Sequence, residues 1–232
     1  MEFFNFFDTL LSFNITIEIF ALYILTSLTY GSLYSSSSDY ASPALLNSFL
    51  SFTLFFLIIT YLFFAFDITP VNVPESSMYA YNQTILVVFF LSSIIVLITT
   101  KDFVSARNIS KFEYDIIFSL VILSAICLCF ADDFLLIYLT IELQSLCFYV
   151  FATFKRNSEF STESGLKYFV FGAIISCLLL LGFSLIYTSF GTTSFESLIC
   201  LSHTSEDSFL FCGVLFILIA FLFKVGAAPF HS

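Results

Sequence analysis

Long apolar runs separated by short polar connectors organise this chain. A run of about twenty apolar residues, rising roughly 1.5 Å per residue as a helix, matches the hydrocarbon thickness of a bilayer. On that measure the pattern predicts spans at 15–34, 45–66, 83–100, 116–130, 134–154, 163–187 and 208–224. The connectors are a polar stretch at 35–43, a loop at 67–81 carrying Pro70 and Pro74, and a charged segment from Lys101 to Asp115. A tight turn follows at Ala131, Asp132 and Asp133, then a polar connector at 155–162 and a long loop at 188–207 with Gly191 and His203. The expected fold class is all-α, a polytopic transmembrane helix bundle of about seven spans, with the fourth and fifth forming an antiparallel hairpin.

Composition removes the main alternatives. With 59% hydrophobic and 10% charged residues over 232 positions, the chain is too apolar for a soluble domain. A formal charge of -10 without a basic patch excludes nucleic-acid binding. Cys127, Cys129, Cys147, Cys177, Cys200 and Cys212 show no metal-ligand spacing and read as small buried apolar residues, with neither a disulfide nor an iron-sulfur cluster expected. The N-terminal MEFFNFFDTL has acids where a targeting sequence would have bases, so no cleaved leader is expected. With seven spans, Lys101, Arg107, Lys111, Lys155, Arg156 and Lys167 all fall on one side, which puts the N-terminus on the outer face.

Two charges lie where a bilayer would be driest. Glu142 sits midway along the fifth segment, and an acid at that depth costs about 2.5 to 3.5 kcal/mol on insertion scales. Glu142, Ser145 and Tyr149 recur at helical spacing, a polar stripe aimed into the bundle. The alternative is a protonated Glu142 that only hydrogen-bonds a neighbouring helix. Lys224 lies deep in the last segment and is followed by Gly226 and by Pro229, which breaks the helical ladder. A lysine beside a broken membrane helix switches between charged and neutral through small changes around it; the alternative is a lysine reaching the interface. Glu163, beside Ser161 and Thr162, reads as a first-turn acid paired with Lys167 at i+4, and Gly172 with Ser176 as a close-packing face. Glu18 reads as interfacial and His203 as solvated.

Three blocks carry a resemblance. ELQSLCFYVFATFKRNSEFSTESGLKYFVFGA, Glu142 to Ala173, is similar to the fifth and sixth helices of the NADH dehydrogenase subunit 2 family, antiporter-like membrane subunits of respiratory complex I. DDFLLIYLTIE leads into it, and FKVGAAPFH, Phe223 to His231, resembles that family's broken seventh helix. The resemblance implies the first part of an antiporter-like fold: an outer segment at 1–14, peripheral helices at 15–107, and an incomplete repeat at 108–232. It implies that Glu142 and Lys224 form the buried pair whose opening and closing gates proton movement, with Pro229 at the helix break beside Gly226 and with His231 matched, its role open; Tyr149 and Lys167 are further accessory candidates from the residues themselves, Lys167 reading first as a snorkelling anchor. It implies no cofactor on this chain, with NADH, FMN, iron-sulfur clusters and ubiquinone in partner subunits. The location implied is the mitochondrial inner membrane, multi-pass, with the N-terminus toward the intermembrane space and cardiolipin among the lipids. The family continues beyond the point matching Ser232, so a second polypeptide completing the seventh helix onward is expected, a truncated sequence being the alternative. Two other functions stay open: a structural or assembly subunit without transport, and a free-standing cation/proton antiporter.

Overall fold

The computed structural model describes residues 17, 18, 20–33, 74–106, 112–155, 158–201 and 208–227. The expected span at 45–66 lies outside the described residues, as do His203, Pro229 and His231. Seven helices are described: α1 Phe20–Leu33, α2 Pro74–Ala106, α3 Phe112–Cys129, α4 Phe134–Ala152, α5 Glu159–Phe190, α6 Phe195–Leu201 and α7 Ser208–Val225. Among the described residues there is no strand, only an isolated antiparallel bridge between Asp133 and Ser194. α4 and α5 are each long and apolar enough to cross a membrane, while α1, Thr84–Thr100 within α2 and Phe209–Val225 within α7 are shorter apolar helices.

The chain divides into two compact units, Met1–Phe130 and Ala131–Ser232. In the first, Phe20, Tyr23 and Ile24 of α1 pack with Leu86, Phe90 and Leu97 of α2 and with Ile116, Ile122 and Ile126 of α3. Phe20 and Phe90 stack at 6.3 Å with rings 6° from parallel. Ser27, Ser93, Ser119 and Ser124 are buried beside these residues. Each returns its hydroxyl to the carbonyl three residues earlier, which lets a polar side chain sit in an apolar interior without an orphaned donor.

In the second unit α5 is the central element, with α4 on one side and α7 on another. Small residues set both contacts. A Cβ on Gly165 would overlap the Thr153 methyl, and one on Gly172 would overlap the Tyr149 hydroxyl, so α4 lies against α5 along a glycine line one heptad long. On the α7 side, a Cβ on Gly182 would come within 2.7 Å of Ile217 and 3.0 Å of the Gly213 carbonyl. Leu179, Phe183 and Ala220 form the core here, with Phe134, Ile137, Tyr138, Ile175 and Ile217 packed around them. At the far end, Phe134 N–H donates to the Thr193 carbonyl at 3.2 Å and Phe195 N–H to the Asp132 carbonyl at 3.1 Å. These reciprocal bonds clasp the two loops together, with Phe134 stacked on Phe183 and edge-on to Phe195.

Several boundaries differ from the sequence expectation. The loop expected at 67–81 gives way to helix from Pro74, because proline at a first helical position surrenders an N–H that no helix would use. α5 begins at Glu159 behind Ser158, not at Glu163; Ser161 instead donates to the Ala152 carbonyl at 2.7 Å, tying the start of α5 to the end of α4. The loop expected at 188–207 contains α6. Of the six cysteines expected to be buried, only Cys147 is; Cys127 and Cys129 are half-buried and Cys177, Cys200 and Cys212 exposed, so they face whatever surrounds the unit.

Candidate functional site

The antiparallel register of the second unit decides which residues meet. Gly182 of α5 lies against Ile217 of α7 and Ile186 against Gly213, so following α5 back toward its start leads up α7 toward Lys224. On the other side Tyr149 of α4 lies against Gly172 of α5. The end of α7 and the middle of α4 therefore converge on the same stretch of α5, near Phe171, Gly172 and Ile175.

Glu142 occupies the middle of α4, whose buried side is Thr140, Ser145, Cys147 and Tyr149 and whose opposite side exposes Leu135, Leu139, Leu146 and Val150. Its Oε2 is buried and has no hydrogen-bond partner. Leaving a buried acceptor unsatisfied costs about 1–3 kcal/mol, and more when it is charged. Tyr138, Tyr149 and Lys224 lie within electrostatic reach of this carboxyl.

Lys224 is half-buried in the last turn of α7. The helix ends directly behind it: Gly226 takes a left-handed conformation at φ 69°, its N–H donates to the Phe223 carbonyl at 3.0 Å, and Ala227 N–H donates to the Leu222 carbonyl at 3.0 Å. This pair of bonds is a Schellman cap with Gly226 at its left-handed position. The break is thus made at Gly226, three residues ahead of Pro229, which lies outside the described residues. The end of the helix also gives Lys224 the partial negative charge of the last carbonyls, worth about 0.3–1 kcal/mol to an ammonium. Gly226→Ala forces a Cβ into the left-handed region and is expected to cost about 1–2 kcal/mol, read as a lower midpoint in heat-induced unfolding of the purified assembly.

Between these elements lies a cavity of about 500 Å³. Its polar lining is Lys224, Gln144, Ser145, Tyr149 and Tyr168. No carboxylate oxygen of Glu142 comes within 4.0 Å of the Lys224 nitrogen, so the two lie within electrostatic reach without forming an ion pair, and Glu142 itself does not line the cavity. Lys167 is not brought to the cavity: it is 69% exposed and paired with Glu163 at 2.6 Å on the outside of α5. Tyr149 is brought there, and Gly226 lines the wall. Gln144 and Tyr168 were not singled out from the sequence. The only sequence signal for them was adjacency, since Gln144 lies two residues from Glu142 and Tyr168 follows Lys167.

Residues 131–232 match the family model described as NADH:quinone oxidoreductase/Mrp antiporter, TM, and begin where the second unit begins. NADH-ubiquinone oxidoreductase chain 2 of Marchantia polymorpha is 37% identical over 215 residues, 88% of this chain and 44% of that one. NADH-quinone oxidoreductase subunit N of Rhodobacter capsulatus is 40% identical over 146 residues, 62% of this chain and 30% of that one. Among solved structures, a chain of respiratory complex I from Thermus thermophilus with bound aureothin aligns at TM-score 0.70 and 21% identity, over 93% of this chain and 45% of its own length. The chain thus spans less than half the length of the relatives it matches.

Proposed function

We propose that the chain is part of a proton-translocating subunit in the membrane arm of respiratory complex I, because residues 131–232 match the family model described as NADH:quinone oxidoreductase/Mrp antiporter, TM. The observation that carries this is the buried, unpartnered Glu142 Oε2 within electrostatic reach of Lys224, which lines a cavity inside the matched unit. A carboxylate and an ammonium within electrostatic reach and not in contact make a two-state element, closed when they pair and open when they part. At an effective dielectric near 20, closure to about 4 Å is worth on the order of 4 kcal/mol. Closure strengthens the hold of Lys224 on its proton, and opening in a desolvated site releases it to the next buried group. NADH oxidation and quinone reduction take place in other subunits of the assembly, and this chain contributes charge movement and no redox group. The location is the mitochondrial inner membrane, with the N-terminus outside and neighbouring membrane-arm subunits, with cardiolipin among the lipids, around it.

One observation favours a structural reading instead. The helix-end carbonyls beside Lys224 already stabilise its charge, so the pair could be static, each partner kept because losing one alone is costly. The double variant Glu142→Gln with Lys224→Met separates the two. Proton uptake by vesicles carrying the intact assembly is expected to be lost, whereas a static pair would leave it intact. Mass spectrometry of the assembly isolated through this chain tests the rest. Complex I membrane-arm subunits are expected beside it, and the same spectra show whether the remaining length of the relatives continues from this polypeptide or arrives on a second one. Isolation alone, or with unrelated transport proteins, would point to a free-standing antiporter.

A further inference from the structure

We propose that Tyr149 is a proton relay between Lys224 and Glu142, held in place by the absence of a side chain at Gly172. The inference rests on the proposed use of the Glu142 and Lys224 pair and names the group that works across its gap.

The gap needs a carrier, because the Glu142 carboxylate and the Lys224 nitrogen do not come within 4.0 Å of each other. Tyr149 is placed toward both groups. It lies seven residues after Glu142 on the same face of α4, and side chains of a helix lean toward its N-terminus, so its ring slants back toward Ser145 and Glu142. Ser145 stands beside its hydroxyl, and Glu142 is within electrostatic reach. It also lines the cavity into which Lys224 projects. The cavity, of about 500 Å³, has room for water beside its polar side chains, and water there extends the hydroxyl's reach on either side.

The ring is 7% exposed and fixed on three sides. Tyr168 meets it edge-on at 4.9 Å and Phe169 at 5.5 Å. On the third side the hydroxyl end occupies the space where any residue larger than glycine at 172 would place its Cβ. A packed, buried ring would need no such recess for the hydroxyl if its only duty were to fill volume, since phenylalanine would fill it as well.

The transfer balances without a further reagent. The Lys224 ammonium gives a proton to the Tyr149 oxygen as that hydroxyl releases its own proton to the Glu142 carboxylate, directly or through a water. One N–H bond breaks, one O–H bond forms on Glu142, and the tyrosine ends unchanged. The products are a neutral amine and a neutral acid, so the attraction between the partners vanishes as the proton leaves.

The test uses the intact assembly in sealed vesicles, with proton uptake measured against quinone reduced. Tyr149→Phe keeps the ring and its apolar contacts, and is expected to lower proton yield about tenfold or more. Gly172→Ala displaces the hydroxyl without removing it and is expected to lower the yield partway. A Tyr149→Phe assembly pumping at the parental yield overturns the proposal. If Tyr149→Phe fails to accumulate in the assembly, the hydroxyl holds the fold and not the proton, and the proposal falls. Glu142→Gln measured alongside distinguishes the levels. If it abolishes pumping while Tyr149→Phe does not, the pair stands and the relay falls; if it pumps normally, the pair itself is wrong.

Discussion

Glu142→Gln is expected to assemble and to lower the rate of proton translocation about tenfold or more, a loss that needs only about 1.4 kcal/mol of the roughly 4 kcal/mol available from closing the pair. The amide has nearly the shape of the carboxyl but no charge to hold Lys224 with. Assembly survives because the substitution is close to isosteric and because Lys224 keeps two other supports, the polar wall of the cavity and the carbonyl end of α7. Quinone reduction is expected to slow with pumping if the two are coupled. Proton uptake and quinone reduction, recorded on the same vesicles, check both at once. A variant that pumps at the parental yield would remove Glu142 from the mechanism.

Gly182→Val is expected to have the largest effect on stability. The Gly182 position faces backbone as well as side chain, with the Gly213 carbonyl 3.0 Å and the Ile217 nitrogen 3.1 Å from where a Cβ would sit. Backbone on a helix cannot rotate away as a side-chain tip can. Overpacking of this kind costs about 1–3 kcal/mol for a few added methyl groups, and valine adds branching at the crowded atom. α7 would be pushed off α5, and Lys224 would move with it, since both lie on one rigid helix. The readout is the amount of chain recovered in the isolated assembly and its unfolding midpoint, both expected to fall, with Gly182→Ala intermediate. Equal recovery of parent and valine variant would show that α5 and α7 are not held by this contact.

The sequence revealed charges better than it revealed contacts. Glu142 and Lys224 stood out because the surrounding residues are apolar, and depth in an apolar run is a one-dimensional property. The start of α7 at Ser208 and the turn at Asp132 and Asp133 were legible for the same reason, as sharp changes of polarity. The beginnings of α2 and α5 were misread because one residue type carries opposite local meanings. Pro74 punctuates a loop or opens a helix, and Ser158 with Glu159 makes the same cap-and-acid signal as Ser161 to Glu163, four residues on. Gly172 was legible as a packing residue, but not as the recess for Tyr149. Nor was the meeting of Gly182 with Gly213 legible, because a recess exists only when two helices are set in register, and register is decided between elements rather than along one. The helix break was placed at Gly226 and Pro229 together, and a left-handed glycine ends a helix sooner whenever it comes first.

The reciprocal bonds joining Asp132 and Phe134 to Thr193 and Phe195 make one lever arm of two loops far apart in the chain. The head of α4 is pinned to the chain leaving α5, while the tail of α4 is pinned to the head of α5 by the Ser161 bond to Ala152. A rod fastened at both ends to the same neighbour cannot tilt independently of it. Glu142 is therefore carried on a rod held at both ends, whereas Lys224 sits in the last turn of α7, directly before that helix's glycine cap.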